Sequence, residues 1–171
     1  TVPAAPSEPA LVAGSDSGVS ATDDVTSDTT PEFTGTGAGE NGSTVEVFAG
    51  GTSIGTAKVE GGTWSVTAGS ALSNGTYDIT AKLTDPAGNE SVASSALSVE
   101  IDTSVAVPGI ALADDAGASD SDQITRDGTV AVTLTSDLQS WEYSTDGGSN
   151  WSSGSGTGFV LSAGSYAGGD V

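Results

Sequence analysis

The chain has 171 residues and a formal charge of -20, with only Lys58, Lys82 and Arg126 on the positive side. That balance excludes nucleic acid and anionic membrane surfaces as partners, because both are gripped through Lys and Arg, and it invites divalent cations instead. Cys, Met and His are absent, which removes disulfide staples, thiolate metal sites and the usual general base, and leaves oxygen ligands for a hard cation.

Pro3, Pro6 and Pro9 make residues 1–8 an extended linker or the lead-in to a first strand over Ala10 to Gly14. An acidic, Gly-containing loop follows, from Ser15 to Thr30. Extended structure resumes at Pro31 to Thr36 with Phe33 facing in. Thr44 to Phe48 alternates as a half-buried strand should, and Gly50-Gly51 supplies a hairpin turn to a return strand over Ser53 to Glu60. Gly61-Gly62 turns again into Thr63 to Thr67, with Trp64 and Val66 on one face. Thr76 to Thr84 is the clearest strand: Tyr77, Ile79, Ala81 and Leu83 point one way and Asp78, Thr80, Lys82 and Thr84 the other. Asp85 to Asn89 turns, and Ser91 to Ile101 closes the unit as a last strand. This pattern, with no helical periodicity, predicts an all-β fold: a Greek-key, immunoglobulin-like sandwich of seven strands over residues 9–103.

The acidic loop recurs. Asp16, Gly18, Ser20, Asp23, Thr26, Asp28 and Thr30 return at matching positions as Asp115, Gly117, Ser119, Asp122, Thr125, Asp127 and Thr129. A second motif recurs in register with it, Leu72-Ser73-Asn74-Gly75-Thr76-Tyr77 and Leu161-Ser162-Ala163-Gly164-Ser165-Tyr166. Leu-x-x-Gly-x-Tyr at the start of a sixth strand has the form of a tyrosine corner, in which the phenol hydroxyl ties the corner to nearby backbone. Residues 104–171 are therefore expected to be a second immunoglobulin-like domain in tandem, lacking its last strand. A cut or split domain is preferred as the reason over a complementing strand from another chain.

Crowded carboxylates repel one another unless a cation sits among them. Calcium takes about six to eight oxygens at roughly 2.3–2.6 Å, from carboxylates, carbonyls and waters alike. The candidate ligands are Asp16, Asp23, Asp24, Asp28 and Asp102 at the end of the sandwich where the last strand exits, and Asp85 at the opposite end. Asp114, Asp115, Asp120, Asp122 and Asp127 are the counterparts in the second domain. An ion shared between domains would also remove hinge freedom. The competing reading is a set of solvated acidic turns, strongest for Asp85, since Asp-Pro-x-Gly-Asn is a common tight turn.

Ser144-Thr145-Asp146-Gly147-Gly148-Ser149-Asn150-Trp151 matches the Asp-box hairpin of sialidase-type propellers. As a single copy it reads as a structural turn, with Trp64, Trp141 and Trp151 as core or hairpin cover. Nothing activates the many Ser and Thr residues as nucleophiles, and the Asp residues fall in loops rather than in a pocket, so no enzyme is expected.

Pro31 to Gly37, Thr44 to Phe48, Gly61 to Val66, Leu72 to Tyr77 and Thr84 to Asn89 together resemble bacterial immunoglobulin-like repeats of large secreted adhesins and biofilm proteins, including RTX adhesins. Trp141 to Trp151 resembles a sister repeat type. The resemblance implies an extracellular row of extender domains, each partnered by neighbouring repeats of the same chain and rigidified by Ca2+, holding a ligand-binding tip away from the cell. Two alternatives stay open: a carbohydrate- or surface-binding module, and an accessory domain of a secreted glycoside hydrolase. No export signal or membrane-spanning run is visible in this stretch, so direct membrane insertion is not expected and an export signal would lie outside it.

Overall fold

The computed structural model describes residues 1–18, 20–37, 41–119, 121–135, 138 and 140–166. It divides into two compact units, Thr1–Ser104 and Val105–Val171, and the described residues form strands and turns without a helix.

In the first unit, alternating sequences become strands whose apolar faces meet. One sheet has the order β1-β3-β6, from Ala10–Leu11 (β1), Glu32–Thr36 (β3) and Thr63–Thr67 (β6). The other has the order β2-β8-β7-β4-β5, from Val25–Thr26 (β2), Thr44–Ala49 (β4), Thr52–Lys58 (β5), Gly75–Thr84 (β7) and Leu97–Ile101 (β8). Between the sheets lie Phe33, Trp64 and Val66 from the first and Val45, Val47, Ile79, Ala81, Leu83, Val99 and Ile101 from the second, all buried. The period-2 alternation read from Thr44 and Thr76 is thus a true inside–outside pattern. Gly50 and Gly51 turn the β4–β5 hairpin at φ 54° and 84°, a left-handed pair that side chains with a Cβ adopt at a cost. At Gly35 a Cβ would come within 2.5 Å of the Trp64 ring, so this glycine is what lets the indole lie flat on β3.

Three details depart from the expected layout. The first strand is split: β1 pairs antiparallel with β3, whereas β2 pairs parallel with β8, Val25 opposite Glu100 and Thr26 opposite Ile101. The acidic loop is therefore an interruption within the first strand, where the chain changes sheets, and the described residues of the unit form eight strands rather than the expected seven. The lead-in also joins the unit early. Ser7 exchanges hydrogen bonds with the Thr36 backbone, its amide donating to Thr36 O at 2.9 Å, and Pro6 and Pro9 are buried. Finally, the closing strand is shorter than Ser91 to Ile101. The Ser91 and Ser94 amides donate to the Leu83 and Ala81 carbonyls at 2.8 and 2.9 Å, but the return bonds from the Leu83 and Ala81 amides go to the serine hydroxyls, both at 3.0 Å, so regular pairing begins only at Leu97.

In the second unit, Gly109–Leu112 (β9), Thr129–Thr133 (β10) and Gly158–Val160 (β13) form a sheet of order β13-β10-β9, and Glu142–Tyr143 (β11) pairs with Ser152–Ser153 (β12) as a hairpin. Val130, Val132 and Phe159 make its small core, with Trp141 and Tyr143 packed on it. Tyr143 and Phe159 stack at 3.9 Å between centroids. The strand expected to open at Tyr166 runs into residues 167–171, outside the described residues.

Both tyrosine corners form. The Tyr77 hydroxyl donates to Ser73 O at 3.0 Å and the Tyr166 hydroxyl to Ser162 O at 3.1 Å.

Candidate metal centre

The acidic loop of the first unit is built around Thr26. Its side chain is 1% exposed, and its hydroxyl donates to Ser15 O. The same oxygen accepts from the Asp28 amide at 3.0 Å and the Ser17 amide at 3.3 Å, with the Ser17 hydroxyl 2.9 Å away. Asp23 accepts from the Val25 amide at 3.3 Å and Asp28 from the Thr30 amide at 2.9 Å. These contacts follow from residue type: short oxygen-bearing side chains satisfy amides two residues on and hold a loop without a sheet ladder. Because the Thr26 carbonyl accepts from the Asp102 amide at 2.9 Å, the loop is moored where β8 ends.

Within this frame Asp16 is singular. It is 5% exposed, and its Oδ1 is buried with no hydrogen-bond donor. Removing a carboxylate oxygen from water without a partner costs free energy that only a donor or a cation returns. Asp24 sits in the same field: burial pushes its carboxyl up, and the charges of Asp16, Asp23 and Glu8 push it further. Asp24 also holds a left-handed backbone, φ 58°. Three carboxylates thus act on Asp24 with no basic group among those influences. Glu8 had been read as part of the linker; it carries no spacing signal, and only the early docking of the lead-in brings it in.

The other candidates are differently placed. Asp28 is engaged by Thr30. Asp102 Oδ1 accepts from Asn74 Nδ2 at 3.2 Å and from the Ser104 amide and hydroxyl at 3.0 and 2.7 Å. Asp85 is saturated by its own turn, accepting from the Ala87 and Asn89 amides at 2.9 Å each and from Asn89 Nδ2 at 2.8 Å, and the Asn89 contacts pull its carboxyl below the usual range.

The second unit repeats the loop nearly bond for bond. The Thr125 hydroxyl donates to Asp114 O at 2.7 Å and accepts from the Asp127 amide at 3.0 Å. Asp122 accepts from the Ile124 amide at 3.1 Å and Asp127 from the Thr129 amide at 3.0 Å, and the Thr129 hydroxyl and amide pull the Asp127 carboxyl down. Gln123, at φ 59°, takes the left-handed position of Asp24. Asp115 Oδ2 accepts from the Gln123 amide at 2.9 Å, while its Oδ1, like that of Asp16, is buried without a donor. Asp114 is exposed, and Asp120 lies outside the described residues.

Among the described residues no three acidic side chains close into a ready cage. The donor set still suits calcium, which completes its shell with carbonyls, hydroxyls and water. The orphaned oxygens of Asp16 and Asp115 are the atoms a hard cation would satisfy first.

The Asp146 turn between β11 and β12 is self-contained. Asp146 accepts from the Asn150 amide at 2.8 Å and from the Asn150 side chain, which with Ser144 lowers its carboxyl to about 2. Trp151 covers this hairpin, its Nε1 donating to Gly148 O at 3.1 Å.

Residues 1–103 match the family model described as bacterial Ig-like domain. The chain belongs to the bacterial Ig-like domain family. No curated protein matches it. Bacterial Ig-like domains are typically non-catalytic accessory modules and are common in extracellular and surface proteins. The self-contained turns of Asp85 and Asp146 fit an accessory module, since both carboxylates serve the fold.

Proposed function

We propose that this chain is a spacer region of a bacterial cell-surface adhesin, stiffened by Ca2+ held in the Asp16 loop and in its copy at Asp115. The observation that carries the calcium reading is the buried, donorless Oδ1 of Asp16, beside an Asp24 whose carboxyl is raised by burial and by the charges of Asp16, Asp23 and Glu8. Asp16, Asp23 and Asp24 would hold the ion in the first unit, with Asp115 and Asp122 in the second. The ion supplies charge neutralisation. The protein supplies a loop already fixed at Thr26 and Thr125, so little ordering entropy remains to be lost on binding. The adhesin reading rests on the resemblance to adhesin repeats, on two modules in one chain and on the extracellular habit of the family. The neighbouring repeats of the same chain are then its partners.

Extracellular calcium modules bind at roughly 10⁻⁴–10⁻³ M. At calcium about a hundred-fold above the dissociation constant, one site stabilises its fold by about 2.7 kcal/mol, which for a unit of this size raises Tm by roughly 10–20 °C. Calorimetric melting of the chain in millimolar calcium and in chelator tests this, with Asp23→Ala expected to reduce the rise. Identical melts in the two conditions would remove calcium from the proposal and leave a bare spacer.

A further inference from the structure

The two loops share the hydrogen bonds of Thr26 and Thr125, of Asp23 and Asp122 and of Asp28 and Asp127, but not their charges. Aligning Asp16 with Asp115 sets Asp24 against Gln123, Ser27 against Arg126 and Glu8 against Val107. The first change falls at the left-handed position of both loops, φ 58° and 59°, so the backbone is the same and only the carboxylate is lost. Arg126 brings a cation into the second loop, and Val107 brings nothing in place of Glu8. Asp114 adds a carboxylate to the second loop, exposed as Glu8 and Asp23 are in the first, and its carbonyl is taken by the Thr125 hydroxyl. Asp120 adds another, outside the described residues. Burial differs as well. Asp16 is 5% exposed, whereas Asp115 is only half-buried and has committed Oδ2 to the Gln123 amide.

Resting on the calcium reading above, we infer that the loops are unequal calcium sites: the Asp16 loop fills first, and the Asp115 loop fills only at higher calcium, with residues 24 and 123 setting the difference. Calcium loops tune affinity by how many ligand charges surround the ion. The first loop gathers Glu8, Asp16, Asp23 and Asp24. The second, among described residues, offers Asp115 and Asp122 in the equivalent places. Stiffness in such a chain is then graded: one unit is locked across a wide calcium range, and the other responds within it.

Isothermal titration of calcium into the whole chain, previously stripped with chelator, tests this. Two classes of site are expected, separated by about ten-fold or more in dissociation constant. Asp24→Gln should move the tighter class toward the weaker, and Gln123→Asp should move the weaker class toward the tighter. Circular dichroism of each variant in chelator checks that both remain folded, since each introduces a residue its counterpart loop already carries. A single class unmoved by either substitution overturns the inequality and leaves the calcium reading standing. Absence of any binding heat, with identical melts in calcium and chelator, overturns both. Two classes that ignore residues 24 and 123 also overturn the inference, because the charge difference named here would not be their cause.

Discussion

The Asp16 loop and the Asp85 turn are both aspartate-bearing loops of one small sandwich, and they use their carboxylates in opposite ways. Asp85 has as many donors as it can use, all within its own turn, and its proton affinity falls. Asp16 has a buried oxygen with no donor, and its neighbour Asp24 is pushed the other way. Aspartate density therefore does not mark a site; the balance between carboxylate oxygens and N–H groups does. A carboxylate with enough donors is part of the backbone's own hydrogen bonding, and one without them carries an uncompensated desolvation cost.

That contrast is breakable. The largest effect is expected from Asp16→Asn. In calcium it should erase the roughly 10–20 °C rise in the Tm of the first unit. In chelator it should leave stability unchanged or slightly higher, because an uncompensated buried charge is gone. Loss of stability in chelator as large as in calcium would show that Asp16 is structural only. Next is Thr26→Val, which strips a buried hydroxyl from one carbonyl and two amides. A loss of about 2 kcal/mol is expected with calcium and without it, measured by urea titration in both conditions. Asp85→Ala should produce a smaller fall in Tm, equal in calcium and chelator, since its partners are amides of its own turn. A calcium-dependent change there would move Asp85 into the metal group.

The smallest effect is on pH. The Asp85, Asp127 and Asp146 carboxyls are lowered in the folded state, so their contribution is present above the ordinary carboxylate value near 3.8 and is lost as pH falls through the folded values, for Asp146 about 2. In chelator, acid titration followed by near-ultraviolet circular dichroism should show this loss beginning below about pH 4. Asp146→Asn should blunt it in the second unit. An unchanged acid limb would mean that the Asn150 contacts give no preference for the ionised form.

Much of the fold could be read from residue order alone, because its longer strands are amphipathic and its turns are glycine pairs. Thr44–Ala49 and Gly75–Thr84 alternate over enough positions to fix their inward faces, and Leu-x-x-Gly-x-Tyr located both corners before any coordinate. The split of the first strand was not legible. Two residues, Val25 and Thr26, are too few to alternate, and their partner is the distant β8. Ser91 to Ala96 read as strand because their pattern is strand-like; the hydroxyls that take the return bonds are a choice of rotamer. Asp16 and Asp23 could be picked out by repetition at Asp115 and Asp122, whereas Asp24 is an acid only in the first loop and gives no such signal. Glu8 could not, since its approach depends on where the lead-in docks. Asp-Pro-x-Gly-Asn already marked Asp85 as a turn residue, but Asp28 and Asp102 could not be separated from the others, because the number of donors around a carboxylate belongs to the folded backbone.

The parallel pairing of β2 with β8 has a mechanical meaning. The chain reaches β2 through β1 and the acidic loop and leaves the unit through β8, and β2 and β8 run in the same direction. A pull that separates the two ends of the unit drags them past each other lengthwise. The Asp24 carbonyl held by the Glu100 amide and the Thr26 carbonyl held by the Asp102 amide, each at 2.9 Å, then bear the strain together and must yield at once. Strands peeled apart from one end would give way one bond at a time and at lower load. That pairing takes the load once the lead-in and β1 have been drawn off β3.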